Sequence, residues 1–416
     1  MPSPTDSRIL TLDAIRGVAV LGILLMNIVA FAMPSQAYIN PLAYRGDTPL
    51  DIAVWATNFV FADGKFRGLF TALFGASMLL VATRAEAKGE NPALVHYSRM
   101  SWLLLLGAVH ALAIWYGDIL ILYAAIGMIA FLFRDLPVRN LVVAGLCLIV
   151  AQAAYLGAGL IEIARLRELA TAPGASSDIA AQWHALDTAF AAPSRDALAA
   201  DIAHYRGSYA EILADRLGPD FWRPIRNNFT WPFDTLGLML LGMAGLKSGF
   251  LTGEWDRRRY ARIAAIGYAL SIPPLALLAL WMLARGFDVV SVTAGDFALK
   301  TLFNAPMTLA HAALLLVWIK AAAGGALLAR VAAVGRMAFT NYVATSLICT
   351  TIFYGYGLGL YGGLDRATLY LVVPAVWALI LLWSKPWLDN FAYGPLEWLW
   401  RSLARRKFQP MRRARS

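Results

Sequence analysis

The chain predicts an all-α, polytopic membrane helix bundle, and three observations carry that prediction. Its 416 residues are 59% hydrophobic and only 15% charged, with a mean hydropathy of +0.59. That is more apolar surface than a water-soluble fold hides. Apolar runs of about 20 residues, the length that crosses a bilayer, recur from end to end. Lysine and arginine collect on alternate loops, which orients the bundle.

Ten transmembrane helices are expected, near 14–33, 66–83, 100–116, 119–134, 138–163, 229–250, 260–285, 297–319, 337–356 and 368–388. "DIAVWATNFVFA" (51–62) is apolar but short, and reads as a partly buried helix leading into the second span. With the N-terminus in the cytoplasm, inner segments hold Arg84, Lys88 and Arg99, the Arg257–Arg262 cluster and the basic C-terminus. The short outer loops hold Arg45, Lys65, Arg67, Arg285, Lys300 and Arg366. The topology is therefore N-in and C-in. Residues 1–163 form an N-terminal membrane half (spans 1–5) and 229–402 a C-terminal half (spans 6–10). Between them, 164–228 reads as amphipathic helices on the outer face. The basic tail 403–416, with "RRKFQPMRRARS", reads as disordered. Glycine-rich "YGYGLGLYGGL" (354–364) is a turn at the outer surface.

The net charge of +10 is the cytoplasmic skin of a membrane protein held against anionic lipid, and no folded basic domain exists to bind nucleic acid. Cys147 and Cys349 both fall inside spans, so no disulfide framework or thiolate metal site is expected. "AFA" before Met33 resembles a signal-peptide cleavage site, but the length of the run and Asn27 within it favour an uncleaved anchor.

Polar groups inside spans are costly and mark candidate sites, the alternative being structural bonds between helices. At about 100° per residue, Asp13 lies about 60° and Asn27 about 20° from Arg16, so one stripe of the first span carries all three. Asp13 and Arg16 are spaced to pair. In "LLLLGAVHALAIWYGDIL" (103–120), His110 sits at a depth similar to Asn27, and Asp118 follows at the outer end. Histidine is suited to take and return a proton near neutral pH. No second histidine or carboxylate stands one turn away, so no metal site is expected. Arg16, Asn27 and His110 are expected to wall one polar cleft.

"FADGKFRGLFTALFGASM" (61–78) places Asp63, Lys65 and Arg67 at the outer mouth of the second span, either snorkelling to water or contacting an anion or sugar. Gly68, Gly75, Ala76 and Ser77 permit close packing there. Asn304 and His311 share a face of the eighth span, where Pro306 can kink the helix, as Pro273 and Pro274 can in the seventh. Asn341 and Thr345 suit an interhelical hydrogen-bond face, and Glu397 is spaced to pair with Arg401.

Together, "LDAIRGVAVLGILLMNIVAFAMP", "KFRGLFTALFGAS", "GDILILYAAIG", "GRMAFTNYVATSLICTTIFY" and "GPLEWLWR" resemble the YeiB family of bacterial inner-membrane proteins, over nearly the whole chain. No activity is assigned to that family, and transport is one suggestion for it. Through the "LDxxRG" element, here Asp13, Arg16 and Gly17, the N-terminal half is similar to the wider transmembrane acyltransferase superfamily. That group includes the lysosomal heparan-glucosaminide acetyltransferase and the O-acyltransferases of surface polysaccharides. The lysosomal enzyme has its key histidine in the first outer loop, and no histidine lies between Met33 and Lys65 here. His110 would take that role, or the chemistry differs.

The resemblance implies a multi-pass protein of the inner membrane that moves an acyl group from cytoplasmic acyl-CoA to an alcohol or amine. His110 would be the base, with Asp118 or Asn27 orienting it. Asp13, Arg16, Asn27, Lys65, Arg67, Asn304, His311 and Asn341 are the candidate substrate-binding residues, and Arg16 with the Arg257–Arg262 cluster would hold CoA phosphates. No resident cofactor is expected, acyl-CoA being a co-substrate, and a homo-oligomer is compatible with the sequence. A transporter or exporter of a small solute, its path lined by the same polar stripe, is the competing expectation. A non-catalytic membrane protein is the third.

Overall fold

The computed structural model describes residues 4–190 and 193–412. Helices dominate, and no named strand occurs among the described residues. Helix α1 (Pro4–Ala32) is followed by α2 (Pro49–Phe61) and α3 (Lys65–Glu86), which meet at Gly64 in a left-handed conformation, φ 80°. Next come α4 (Pro92–Val109), running into a π-helix over His110–Ile114, then α5 (Leu120–Ala130) and α6 (Val138–Thr171). Four short helices, α7 (Ser177–Phe190), α8 (Arg195–Tyr205), α9 (Tyr209–Arg216) and α10 (Arg223–Asn228), fill the joint.

The second half comprises α11 (Pro232–Lys247), α12 (Arg257–Ala284), α13 (Lys300–Ala321), α14 (Ala326–Arg336), α15 (Ala338–Phe353), α16 (Val372–Asn390) and α17 (Pro395–Ala404). Local chemistry marks the starts. Proline opens the first turn of α2, α4, α11 and α17, where its missing N–H costs nothing. Thr48, Asn91 and Asp256 cap α2, α4 and α12 through their side-chain oxygens.

Seven helical segments among the described residues are long and apolar enough to cross a membrane. The remaining three expected spans are shorter. Leu120–Phe133 and Ala338–Phe353 are short apolar helices, and α11 and α15 have 16 residues each. Sixteen residues rise about 24 Å, less than the roughly 30 Å hydrocarbon core. The reason for two of them lies at the outer end. The α4–α5 connection is irregular yet buried, with Trp115 and Asp118 each 2% exposed. Irregular backbone survives at that depth only inside protein.

The cover is built by the joint and by the turn after α15. Trp115 stacks on Phe31 with centroids 3.9 Å apart. Tyr209 Oη donates to Ala113 O at 2.9 Å, Arg216 Nη1 to Ile114 O at 2.9 Å and Arg206 Nε to Tyr361 O at 2.8 Å. Tyr354 and Tyr361 are buried beneath. The segment 354–364 is the expected turn, with Gly359 and Gly362 at φ 66°.

Small residues set the tightest crossings. A Cβ on Gly335 of α14 would lie 1.8 Å from the Asp13 carbonyl oxygen, and one on Gly17 of α1 would lie 2.0 Å from that of Val331. Gly75 of α3 meets α11 in the same way, 2.1 Å from Met239 O, as the small-residue run predicted. Pro273, Pro274 and Pro306 lie inside α12 and α13, each of which remains a single helix.

The tail corrects an expectation. Through Arg412 it is folded: Phe408 stacks on Trp398, Trp398 Nε1 donates to Gln409 O at 2.7 Å, and Ala392 N donates to Met411 O at 2.9 Å. The tryptophans of "GPLEWLWR" supply a surface that the basic composition concealed. Residues 413–416 lie outside the described residues.

Candidate functional site

A cavity of about 350 Å³ opens at the end of the bundle that the Lys/Arg bias assigns to the cytoplasm. Arg16, Arg84, Arg99, Arg336 and Arg401 line it against two carboxylates, Asp13 and Glu397. Its deeper wall is apolar, with Phe70, Phe74, Met100 and Leu103, and ends at Tyr123 and Tyr342. The volume is in the range of small-molecule sites, and the arginine excess suits an anion.

Asp13 and Arg16 pair as their spacing predicts, Nη1 to Oδ1 at 2.8 Å, and Arg16 Nη2 donates to Ser77 Oγ on α3 at 2.7 Å. Glu397 does not pair with Arg401. Its Oε1 accepts from the Phe339 and Thr340 amides at 2.7 and 3.0 Å, and its Oε2 from Thr340 Oγ1 at 2.5 Å. It caps α15, a helix N-terminus being a better partner for a buried carboxylate than an exposed arginine, and the Arg401 guanidinium lies over the Tyr393 ring instead, 4.5 Å from its centroid. Burial pushes the Glu397 carboxyl above the usual range, and the Thr340 bonds pull the other way. The Arg257–Arg262 cluster lines none of this cavity.

Behind Tyr342 lies a buried relay. His110 Nδ1 is 2.8 Å from Asp118 Oδ1, and His110 Nε2 is 3.0 Å from Ser346 Oγ on α15. A carboxylate accepts, so Nδ1 carries a proton, and in the neutral imidazole Nε2 accepts from the serine hydroxyl, for which Tyr342 O at 3.4 Å is the more distant acceptor. Asp118 Oδ2 also accepts from Ile121 N at 2.8 Å, capping the first turn of α5. His110, Asp118 and Ser346 are each 2% exposed, and His110 begins the π-helix, a distortion frequent at functional sites. The His110 ring lies 5.1 Å from that of Tyr342.

The expected single cleft is not formed. Arg16 faces the large cavity. Asn27 lines a separate pocket of about 10 Å³ with Thr345 and Ser346, and His110 lines neither. The stripe on α1 is real, but α15 crosses it partway and Tyr342, which lines both spaces, partitions them.

The outer-mouth residues are placed differently from either expectation. Lys65 does not snorkel: it is 0% exposed, and its Nζ donates to Phe59 O at 2.5 Å. Arg67 pairs with Asp234 of α11 at 2.5 Å. Lys300 Nζ sits between Asp63 Oδ2 and Asp296 Oδ1, at 2.5 Å from each, with Tyr38 Oη donating to Asp63 at 2.9 Å. Asp296 belongs to a second π-helix, Thr293–Leu299. Buried Arg366 donates to Ala37 O. Four of the six basic residues assigned to outer loops are therefore inside the bundle, which leaves the outer face poorer still in positive charge.

Asn304 and His311 face the α2–α3 junction as their shared face predicts. Asn304 lies against Gly64, its Oδ1 buried without a partner, while His311 bridges Tyr268 Oη at 3.1 Å and Phe61 O at 2.8 Å. Asn341 is structural: Nδ2 donates to Val334 O and Ser384 Oγ, and Oδ1 accepts from Trp383 Nε1. Asp234, Asp296 and Ser346 carry no expectation from the sequence, and Lys300 only that of an outer-loop charge. The three charged residues could have been found by the same cost of intramembrane charge, but a serine in a span carries no such signal.

The fold and cavity define a polytopic helical membrane protein with an anion-suited cavity and a buried histidine relay. The chain belongs to the YeiB family: it is 35% identical to "Uncharacterized protein YeiB" of Escherichia coli K12 over 97% of this chain and 98% of that protein. It is also 32% identical to "Uncharacterized protein YxaH" of Bacillus subtilis 168 over 99% and 97% of the two chains. Residues 246–407 match the family described as "Protein of unknown function (DUF418)". No solved structure matches the chain.

Proposed function

We propose that this protein is an acyltransferase of the bacterial inner membrane, moving an acyl group from cytoplasmic acyl-CoA to an alcohol or amine. The observation that carries the reading is Tyr342: it walls the arginine-lined cavity, and its ring lies 5.1 Å from His110, so the place for an anionic donor adjoins a base already oriented by Asp118. CoA phosphates would meet Arg84, Arg336 and Arg401, and the pantetheine arm would run along the apolar wall toward Tyr342. Near the opposite end of the relay, Trp115 Nε1, Arg216 Nη2 and Tyr354 Oη are buried without partners, a polar set suited to an acceptor. His110 Nε2 takes the proton of the nucleophile that attacks the thioester carbonyl, the C–S bond breaks, and the proton passes to the CoA thiolate. The resemblance of the Asp13–Arg16–Gly17 element to the acyltransferase superfamily supports the same reading.

In purified protein, Arg84→Gln and Arg336→Gln should each weaken acetyl-CoA binding about 10-fold or more, a charge-assisted hydrogen bond being worth about 1.5–3 kcal/mol. His110→Ala should lower turnover about 10²–10⁴-fold with binding kept. Undiminished turnover removes His110 from the chemistry. A second reading, transport of a small solute, is favoured by the buried Asp63–Lys300–Asp296 cluster, since intramembrane charge commonly marks a solute or proton path. Solute flux in proteoliposomes lacking any acyl donor would select it.

A further inference from the structure

We propose that Ser346 is a nucleophile that carries the acyl group as a covalent ester between donor and acceptor, an inference that rests on the acyltransferase reading. A serine hydroxyl is a weak nucleophile unless a base within hydrogen-bond reach takes its proton and a third group orients that base. Ser346 Oγ lies 3.0 Å from His110 Nε2, and Asp118 lies 2.8 Å from His110 Nδ1. The three come from α15, the π-helix after α4 and the irregular connection before α5, and they are buried together, where such bonds are strongest.

Position supports the role. Ser346 is four residues beyond Tyr342 on α15, one helical turn or about 6 Å from the wall of the donor cavity. On its other side it opens to the small pocket it shares with Asn27, which has space for about one water-sized group. Ser346 thus stands between the donor side and a second, small and mainly apolar pocket, in which the Asn27 amide is suited to hydrogen-bond a tetrahedral oxyanion. A carrier at this point also resolves a topological difficulty: the donor enters from one end of the bundle while the capped outer end holds the partnerless atoms of Trp115, Arg216 and Tyr354.

Ser346 Oγ attacks the thioester carbonyl and its proton goes to His110 Nε2. The C–S bond breaks, and the departing thiolate takes that proton to leave as CoA thiol. The acceptor hydroxyl or amine then attacks the Ser346 ester, His110 takes its proton, and the Oγ–C bond breaks with the proton returned to Oγ. No other reactant is needed.

The test uses the full chain in proteoliposomes with radiolabelled acetyl-CoA and no added acceptor. Label should survive denaturation, map to the peptide containing Ser346, appear with release of one CoA thiol per label, and fall to background in Ser346→Ala and His110→Ala. Ser346→Cys, which keeps a nucleophile of similar size, should regain label as a hydroxylamine-sensitive thioester. Thermal melting of each variant with acetyl-CoA separates misfolding from lost chemistry. If wild-type protein and Ser346→Ala transfer label equally to acceptors in a membrane extract, the covalent carrier is overturned and the acyltransferase reading stands. If wild-type protein neither binds acetyl-CoA nor transfers label, both fall.

Discussion

Replacing Asp118 with alanine should destabilise the bundle by roughly 2–6 kcal/mol, because two buried donors lose their acceptor and each costs about 1–3 kcal/mol. The donors are His110 Nδ1–H and the Ile121 amide, both 2.8 Å from the carboxylate. Asp118→Asn keeps an oxygen for the Ile121 amide and turns an amide group toward the imidazole, so it should lose about half as much. The decisive quantity is the coupling with His110. In His110→Ala the carboxylate has already lost its imidazole partner, so removing Asp118 from that background costs only the capping bond. A double-mutant cycle should therefore return about 1–3 kcal/mol of interaction, read from reversible unfolding of the four proteins in mixed micelles. Well-separated sites add within about 0.3–0.5 kcal/mol. A coupling inside that band would refute the relay as an energetic unit and, with it, the idea that Asp118 holds the imidazole tautomer.

Two further perturbations probe the bundle itself. Gly335→Val should lower thermal stability by at least 1–3 kcal/mol, roughly the cost of overpacking, since the new Cβ meets the Asp13 backbone. Gly157→Ala on α6, with open space around it, should instead gain up to about 1 kcal/mol. Equal effects at the two sites would contradict the α1–α14 crossing. Asp234→Ala leaves Arg67 buried without its carboxylate and should cost about 3–5 kcal/mol, whereas Arg67→Met with Asp234→Leu should recover most of it. No recovery in the double variant, by the same unfolding measurement, would assign the loss to something other than the pair.

How far the sequence reached varies from element to element. The Asp13–Arg16 pair was legible because both partners lie within one turn of one helix. The small-residue run in α3 predicted close packing, and Gly75 against α11 realises it. The 119–134 run was already the shortest of the ten, but the shortness of α15 was not legible: its apolar run looks like an ordinary span until the 354–364 turn and α8–α9 are seen covering the outer end. Arg67 and Lys300 read as loop charges because each has a carboxylate partner distant in the chain, Asp234 being 167 residues from Arg67 and Lys300 being 237 from Asp63. The single cleft of Arg16, Asn27 and His110 was inferred from depth and wheel angle alone, which say nothing of a neighbouring helix passing between.

The sequence by itself determined an all-helical bundle and which polar residues sit at a cost in apolar surroundings. Those are properties of single segments: periodicity, length, charge bias and the free energy of moving a group out of water. Only the tertiary structure decided that Ser346, 236 residues from His110, completes the relay, and that Tyr342 stands between it and the arginine cavity. A side chain's partner is set by which helices are neighbours and at what rotation, and that follows from packing summed over the whole bundle.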